Sequence, residues 1–309
     1  MSKILVTGIN GFVGGHLAEQ LAAKGNSVVG VGMDQELNKR LDAHVSDYYQ
    51  CDLSDTEQVR SLPLANVDGV INLAGLAAVG LSFDDPELYM RVNTSVLRTI
   101  CDVALEQHAD QLRILAISSG AVYSSKQAMP LTEESLLDPQ SSPYSASKIA
   151  MEEVAQEYRD KGVDCLVARP FNHIGPGQME GFLLPDLYAK VTKVQREGGK
   201  LLVGNLTTKR DYTDVRDVAN AYIALMSEKK LEDSVFNVCS GRSVSGEQVL
   251  GMLLHELDYD MTPEVDESQF RPSDAPDLYG DNSRLNSQTG WFPSLDIRQT
   301  IADFVASKT

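Results

Sequence analysis

Nowhere in the 309 residues does an apolar run approach the ~18 positions that a membrane-spanning helix needs. The opening stretch, MSKILVTG, enters a strand pattern at once and shows no leader-peptide grammar, so a cytoplasmic protein is expected. Cysteine is sparse: Cys51, Cys101, Cys165 and Cys239 stand singly, with neither metal-ligand spacing nor a disulfide framework. Low-complexity tracts, internal repeats and long polar linkers are also missing. Basic residues are in deficit, 27 Lys and Arg against 44 Asp and Glu, for a formal net charge of −17. Such a field opposes binding to nucleic acid or to an anionic membrane. If the ligand is itself an anion, local arginines have to overcome it.

What is present reads as a globular enzyme, 42% hydrophobic and 23% charged. KILVTG (3–8), SVVGVG (27–32), GVINLAG (69–75), LRILAISSG (112–120) and DCLVARP (164–170) are compact and β-branched, as buried parallel strands are. Residues 12–24, 86–107 and 143–160 between them have helical spacing. This alternation predicts an α/β fold, a Rossmann-type doubly wound parallel sheet. Residues 1–170 form the expected dinucleotide-binding domain, and 171–309 a smaller C-terminal lobe with helices near 182–197, 245–257 and 294–306. A later segment, near 211–240, is expected to return to the first domain.

VTGINGFVGGHLAEQL sets Gly8, Gly11 and Gly14 between the first strand and first helix, with Phe12 and Val13 inside the array. Glycines there let the backbone approach a pyrophosphate, which the helix N-terminus attracts. Further on, CDLSD offers Asp52 and the Leu53 amide to an adenine ring; Asp52 serves equally well as a helix cap. Leu73, Ala74 and Gly75 close the fourth strand at the edge where such cofactors lie. The acid that normally meets the ribose hydroxyls is displaced: Gly32 holds its place, Asp34 follows two residues later, and Lys39 and Arg40 lie farther on. NAD and NADP both stay open.

SSPYSASKIAMEE places Tyr144 and Lys148 one helical turn apart at a helix start, shortly after a strand ending ISSGAVY. A phenol, pKa about 10, is a poor base alone; a neighbouring ammonium favours its ionised form. The glycine array, NLAG, the serine before AVY, and YSASK together resemble the extended short-chain dehydrogenase/reductase family over nearly the whole chain. That resemblance implies Ser119, Tyr144 and Lys148 as the catalytic set, a nucleotide-sugar substrate and a homodimer. Asn93, in RVNTSVL, falls where the family often has asparagine, either bracing a helix or relaying a proton near the cofactor.

RPFNHIGPGQ, VGNLTTKRDYTDVRD and RPSDAPDLYGD supply polar groups for a substrate: Asn172, Asn205, Arg210 and Arg271, with Lys190 and Lys193 on the helix nearby. These segments are similar to enzymes that handle GDP-mannose derivatives, and imply a GDP-sugar. Dehydratases of that group carry a glutamate two residues before the tyrosine of the fifth-strand motif; here the position is Ala121, which disfavours dehydration. The family's glycine after Tyr123 is Ser124 here. NAD(P)H-dependent reduction of the C4 ketone of a GDP-4-keto-6-deoxy-hexose is the expectation. A nucleotide-sugar 4-epimerase would use the same residues, and a non-catalytic cofactor sensor would not need to keep all three.

Overall fold

The computed structural model describes residues 2–107, 112–269 and 275–308. In chain order the first half comprises Lys3–Thr7 (β1), Phe12–Ala23 (α1), Ser27–Gly32 (β2), Asp47–Gln50 (β3), Thr56–Arg60 (α2), Gly69–Asn72 (β4), Pro86–Glu106 (α3), Arg113–Ile117 (β5), Pro143–Asp160 (α4) and Asp164–Pro170 (β6). The second half adds Asn172–Ile174 (β7), Leu183–Glu197 (α5), Leu202–Val203 (β8), Lys209–Asp214 (β9), Val215–Ser227 (α6) and Val235–Val238 (β10). Ser243–Ser245 (β11), Gly246–Glu256 (α7), Glu264–Val265 (β12), Asp277–Leu278 (β13), Ser283–Thr289 (α8) and Ile297–Ala306 (α9) complete it.

Seven strands form one parallel sheet in the order β10-β6-β5-β4-β1-β2-β3. Neighbouring strand residues point to opposite faces. Val70 and Ile114 therefore meet α3 and α4 through Val96, Ile100, Met151 and Tyr158. Ile71 and Leu115 meet α1 and α6 through Leu17, Leu21, Val218 and Tyr222. Each such side chain, fully buried, contributes about 1.5–3 kcal/mol, so the sheet with its two helical layers is the stable platform. Strand order reverses between β1 and β4, and the carboxyl ends of those strands open a crevice there.

Local chemistry sets the helix starts. Asp85 accepts from the Leu88 amide at 3.0 Å and Ser142 from the Ser145 amide at 3.0 Å. In both, proline follows at the first helical position, where its missing N–H costs nothing. The helix expected from residue 294 begins only at Ile297, because Asp296 caps it through the Arg298 amide. Two expected strands also stop early, at Asn72 and Ile117, and the residues after them become loops at the crevice.

β7, β11 and β13 build a smaller sheet around β9, and β8 pairs with β12 apart from it. Its core joins α5, α7 and α9 through Leu184, Leu187, Leu250, Leu253 and Phe304. Between these parts, α6 packs on α1 and β10 enters the large sheet beside β6. Among the described residues, no helix is long and apolar enough to cross a membrane.

Candidate active site

A continuous cavity of about 1920 Å³ runs from the α1 N-terminus, past the ends of β1, β4 and β5, to β9 in the smaller lobe. A single drug-sized ligand needs only about 300–1,000 Å³. This cavity has room for a dinucleotide and a second large ligand.

At one end, Gly8 takes φ +65°, a left-handed conformation that favours glycine. A Cβ on Gly14 would sit 2.5 Å from the Gly8 carbonyl oxygen and 2.6 Å from that of Ile9. Gly11 caps α1 without any side-chain hydrogen bond, so the first-turn N–H groups keep their capacity to bind an anion. Gly8, Gly11, Phe12, Val13 and Gly14 all line the cavity, as do Asp34, Asp52, Leu53, Leu73, Ala74 and Gly75. The cradle fits the pyrophosphate of NAD(P). Asp52 is not the cap of α2: Asp55 holds that role, while Asp52 accepts from the Ser54 amide and hydroxyl. Asp34 accepts from the Asn10 side chain at 2.8 Å, which draws the 33–41 loop against the glycine turn.

Asn93 departs from the cofactor-binding expectation. It is buried, accepts from the Leu76 amide at 2.9 Å, and donates to the Leu76 carbonyl and to Ser147 at 3.2 and 2.8 Å. Its amide is spent joining the loop after β4 to α4, and it does not line the cavity.

At the carboxyl end of β5, Ser119, Tyr144 and Lys148 come together at the cavity wall. Lys148 donates to the Ile117 carbonyl at 2.8 Å, with its ammonium 5.9 Å from the Tyr144 ring centre. Burial lowers the Lys148 pKa to about 8, and the Glu152 charge opposes the fall. Tyr144 behaves differently from the expectation that its neighbour would favour the phenolate. Burial pushes the phenol above its ordinary value, Ser119 draws it partly back, and Tyr89 adds to the rise. Burial therefore keeps the Tyr144 phenol protonated at neutral pH, beside Lys148.

The substrate expectations divide. Asn172 and Arg210 line the cavity, the latter also donating to the Lys209 and Ala275 carbonyls at 2.7 and 2.8 Å. Lys190, Lys193 and Asn205 do not line it. Lys190 donates to the Leu202 carbonyl at 3.1 Å; Lys193 is exposed on α5; Asn205 accepts from the Thr207 amide and hydroxyl in a tight local turn. Arg271 lies outside the described residues. Motif reading passed over His173 and Gln178, and gave Arg40 no role beyond noting its place after the second strand; all three line the cavity. His173 stacks on Phe12 with ring centres 6.0 Å apart, and burial holds its imidazole neutral. Arg40 comes close to both Gly15 of α1 and Gly177. Its place after the second strand was the one available signal.

Every acidic residue at the cavity wall, Asp34 and Asp52 among the described residues, lies at the nucleotide end. Ala121 occupies the wall near Ser119, where elimination chemistry would ask for an acid. A parallel sheet with a glycine cradle at its switch point and a Ser, Tyr, Lys set beside it defines an NAD(P)-binding enzyme of the epimerase/dehydratase type. More narrowly, the chain belongs to the family described as GDP-mannose 4,6 dehydratase, whose model matches residues 5–304. It is 31% identical over 304 residues to a GDP-6-deoxy-D-mannose reductase of Pseudomonas aeruginosa, covering 97% of this chain and 94% of that one. A UDP-glucose 4-epimerase of Neisseria meningitidis is 29% identical over 329 residues, covering 98% and 96%. A solved structure of RMD from Pseudomonas aeruginosa complexed with NADPH superposes with a TM-score of 0.85 at 29% identity, covering 99% of this chain and 98% of that one.

Proposed function

We propose that the protein reduces the C4 ketone of a GDP-4-keto-6-deoxy-hexose with NAD(P)H. The observation that carries this reading is the pairing of a protonated, buried Tyr144 with a cavity end at which, among the described residues, no carboxylate lies. Ketone reduction needs one proton donor and no second acid or base on the sugar, whereas dehydration needs both. The likeness to a GDP-6-deoxy-D-mannose reductase supports the same choice.

In this reading Ser119 orients the substrate carbonyl and Tyr144 donates its phenolic proton to the oxygen. Lys148 stabilises the phenolate left behind and holds the cofactor ribose. The glycine cradle at α1 binds the pyrophosphate; NAD(P)H, when bound, supplies the hydride. Arg210, with Asn172, meets the substrate diphosphate and sugar, overcoming the acidic field locally. Either nicotinamide cofactor fits the cradle.

The likeness to UDP-glucose 4-epimerases keeps a second reading in play, in which the same residues remove and return a hydride. The discriminating experiment follows NADPH and NADH absorbance with enzymatically prepared GDP-4-keto-6-deoxy-mannose. Stoichiometric oxidation establishes the reductase and ranks the two cofactors. No oxidation, with NAD retained on the purified protein, refutes it in favour of epimerisation.

A further inference from the structure

Beside the catalytic residues runs a buried polar chain that the proposed chemistry does not use, its Ser118 and Tyr123 reaching the cavity wall. Glu152, one turn beyond Lys148 on α4, accepts at Oε1 from the Ser118 hydroxyl at 2.5 Å and from Arg169 Nε at 2.9 Å. Its Oε2 accepts from Arg169 Nη2 at 2.6 Å. Arg169 also donates through Nη1 to the Tyr123 hydroxyl and the Glu133 carbonyl, at 2.9 and 3.0 Å. Tyr123 in turn donates to Asn237 at 2.7 Å. Glu152 is 9% exposed and Arg169 5%.

A buried ion pair is not in general more stabilising than apolar packing of the same volume. Stapling α4 to the sheet therefore does not by itself account for charges here, and their placement is informative. Ser118 sits between Ile117, whose carbonyl accepts from Lys148, and Ser119 at the cavity wall. The groups around the Tyr144–Lys148 pair are Glu152 from α4, Tyr89 from α3 and Tyr222 from α6, the latter two beside Tyr144, and Arg169 from β6 behind Glu152. The β4 loop and the Asn93 amide add uncharged groups. Of these, Glu152 supplies the negative charge that favours the ammonium.

We infer that Glu152 is a positioning residue with two tasks: through Ser118 it fixes the end of β5 against α4, and through its charge it keeps Lys148 an ammonium inside a dry site. The inference rests on the reading of Ser119, Tyr144 and Lys148 given above. Arg169 holds the carboxylate in place from the opposite side and has no contact with the reacting groups.

The test is the alkaline limb of the pH profile, read both in NADPH turnover and in NADPH binding by cofactor fluorescence, which needs no sugar. The wild-type limb is expected near pH 8. Glu152→Gln moves it down by about one pH unit in both readouts, since an opposite charge one helical turn away, with Cβ atoms about 5–6 Å apart, shifts a neighbour by about that much. Ser118→Ala lowers turnover about tenfold or less without moving the limb, because it loosens the β5 end and leaves the charge. Glu152→Gln strands the Arg169 charge; the neutral pair Glu152→Gln with Arg169→Gln covers the case in which the single variant fails to fold, and is expected to show a downward shift that is smaller, because the opposing Arg169 charge goes with it. A limb unmoved in folded variants overturns the inference and leaves the catalytic reading intact. Absence of a wild-type limb in both readouts overturns the catalytic reading and this inference with it.

Discussion

Alanine in place of two helical glycines should change stability in opposite directions. By helix propensity alone, Gly14→Ala and Gly251→Ala are equivalent, each favouring α-helix by up to about 1 kcal/mol. At Gly251, on exposed α7, a new Cβ meets no atom within 4 Å, and the full gain is expected. At Gly14 it would lie 2.5 Å from Gly8 O, 2.6 Å from Ile9 O and 2.8 Å from Ile9 C. Comfortable contacts begin at about 3.5 Å. All three atoms are backbone and held in place: Gly8 O accepts from the Gly11 amide at 3.0 Å, and the Ile9 amide donates to Val31 O at 3.3 Å. Overpacking of this kind costs about 1–3 kcal/mol, enough to reverse the propensity gain. At about 2 °C per kcal/mol for a chain of this size, Gly251→Ala should raise Tm by about 1–2 °C and Gly14→Ala should lower it by up to about 4 °C. Thermal unfolding is paired with NADPH titration, where Gly14→Ala loses at least about tenfold in affinity, or 1.4 kcal/mol, and Gly251→Ala loses none. A Gly14→Ala protein that melts at or above wild type would refute the close-packed cradle.

Tyr144→Phe should lower turnover by about 10²–10⁴-fold, the usual worth of a positioned acid, while NADPH still binds in fluorescence titration. Asn93→Ala leaves the part-buried Leu76 amide without its acceptor and takes one donor from the Ser147 hydroxyl, which still donates to the Tyr144 carbonyl; a loss of about 1–3 kcal/mol is expected in denaturant unfolding. Lys148 makes activity and stability diverge with pH. Its folded pKa of about 8 lies below the ordinary 10.5. Between those values the unfolded chain binds the extra proton, so this group adds stability as pH rises, even while turnover falls through pH 8. Turnover and Tm measured across that window check both signs.

Length and charge pattern, strand–helix alternation and helix punctuation were legible in the sequence because each depends on residues a few positions apart. Ser142 and Pro143 mark the start of α4, which runs from Pro143 to Asp160 as its pattern predicts, and the four-residue spacing brings Tyr144 and Lys148 to one face. The glycine array likewise carries its own geometry, through the φ of Gly8 and the missing Cβ of Gly14. The doubly wound parallel sheet followed from the same periodicities, and its seven-strand order came from the fold.

Which polar side chains reach the cavity was decided only in three dimensions. Lys190 and Asn205 found backbone and local partners close by in sequence, while Arg40 was carried to the glycine turn by the 33–41 loop. Asn93 was drawn into a brace between elements 54 residues apart in sequence. The direction of the tyrosine's pKa depended on desolvation, which no spacing expresses: a neighbouring lysine alone favours the phenolate, but burial by α3, α4 and the end of β5 raises the pKa above its ordinary value. Sequence determined the elements and the spacing of the reactive groups, since those follow from local backbone chemistry. Tertiary structure decided their exposure, partners and charge, since those depend on what the rest of the chain packs around them.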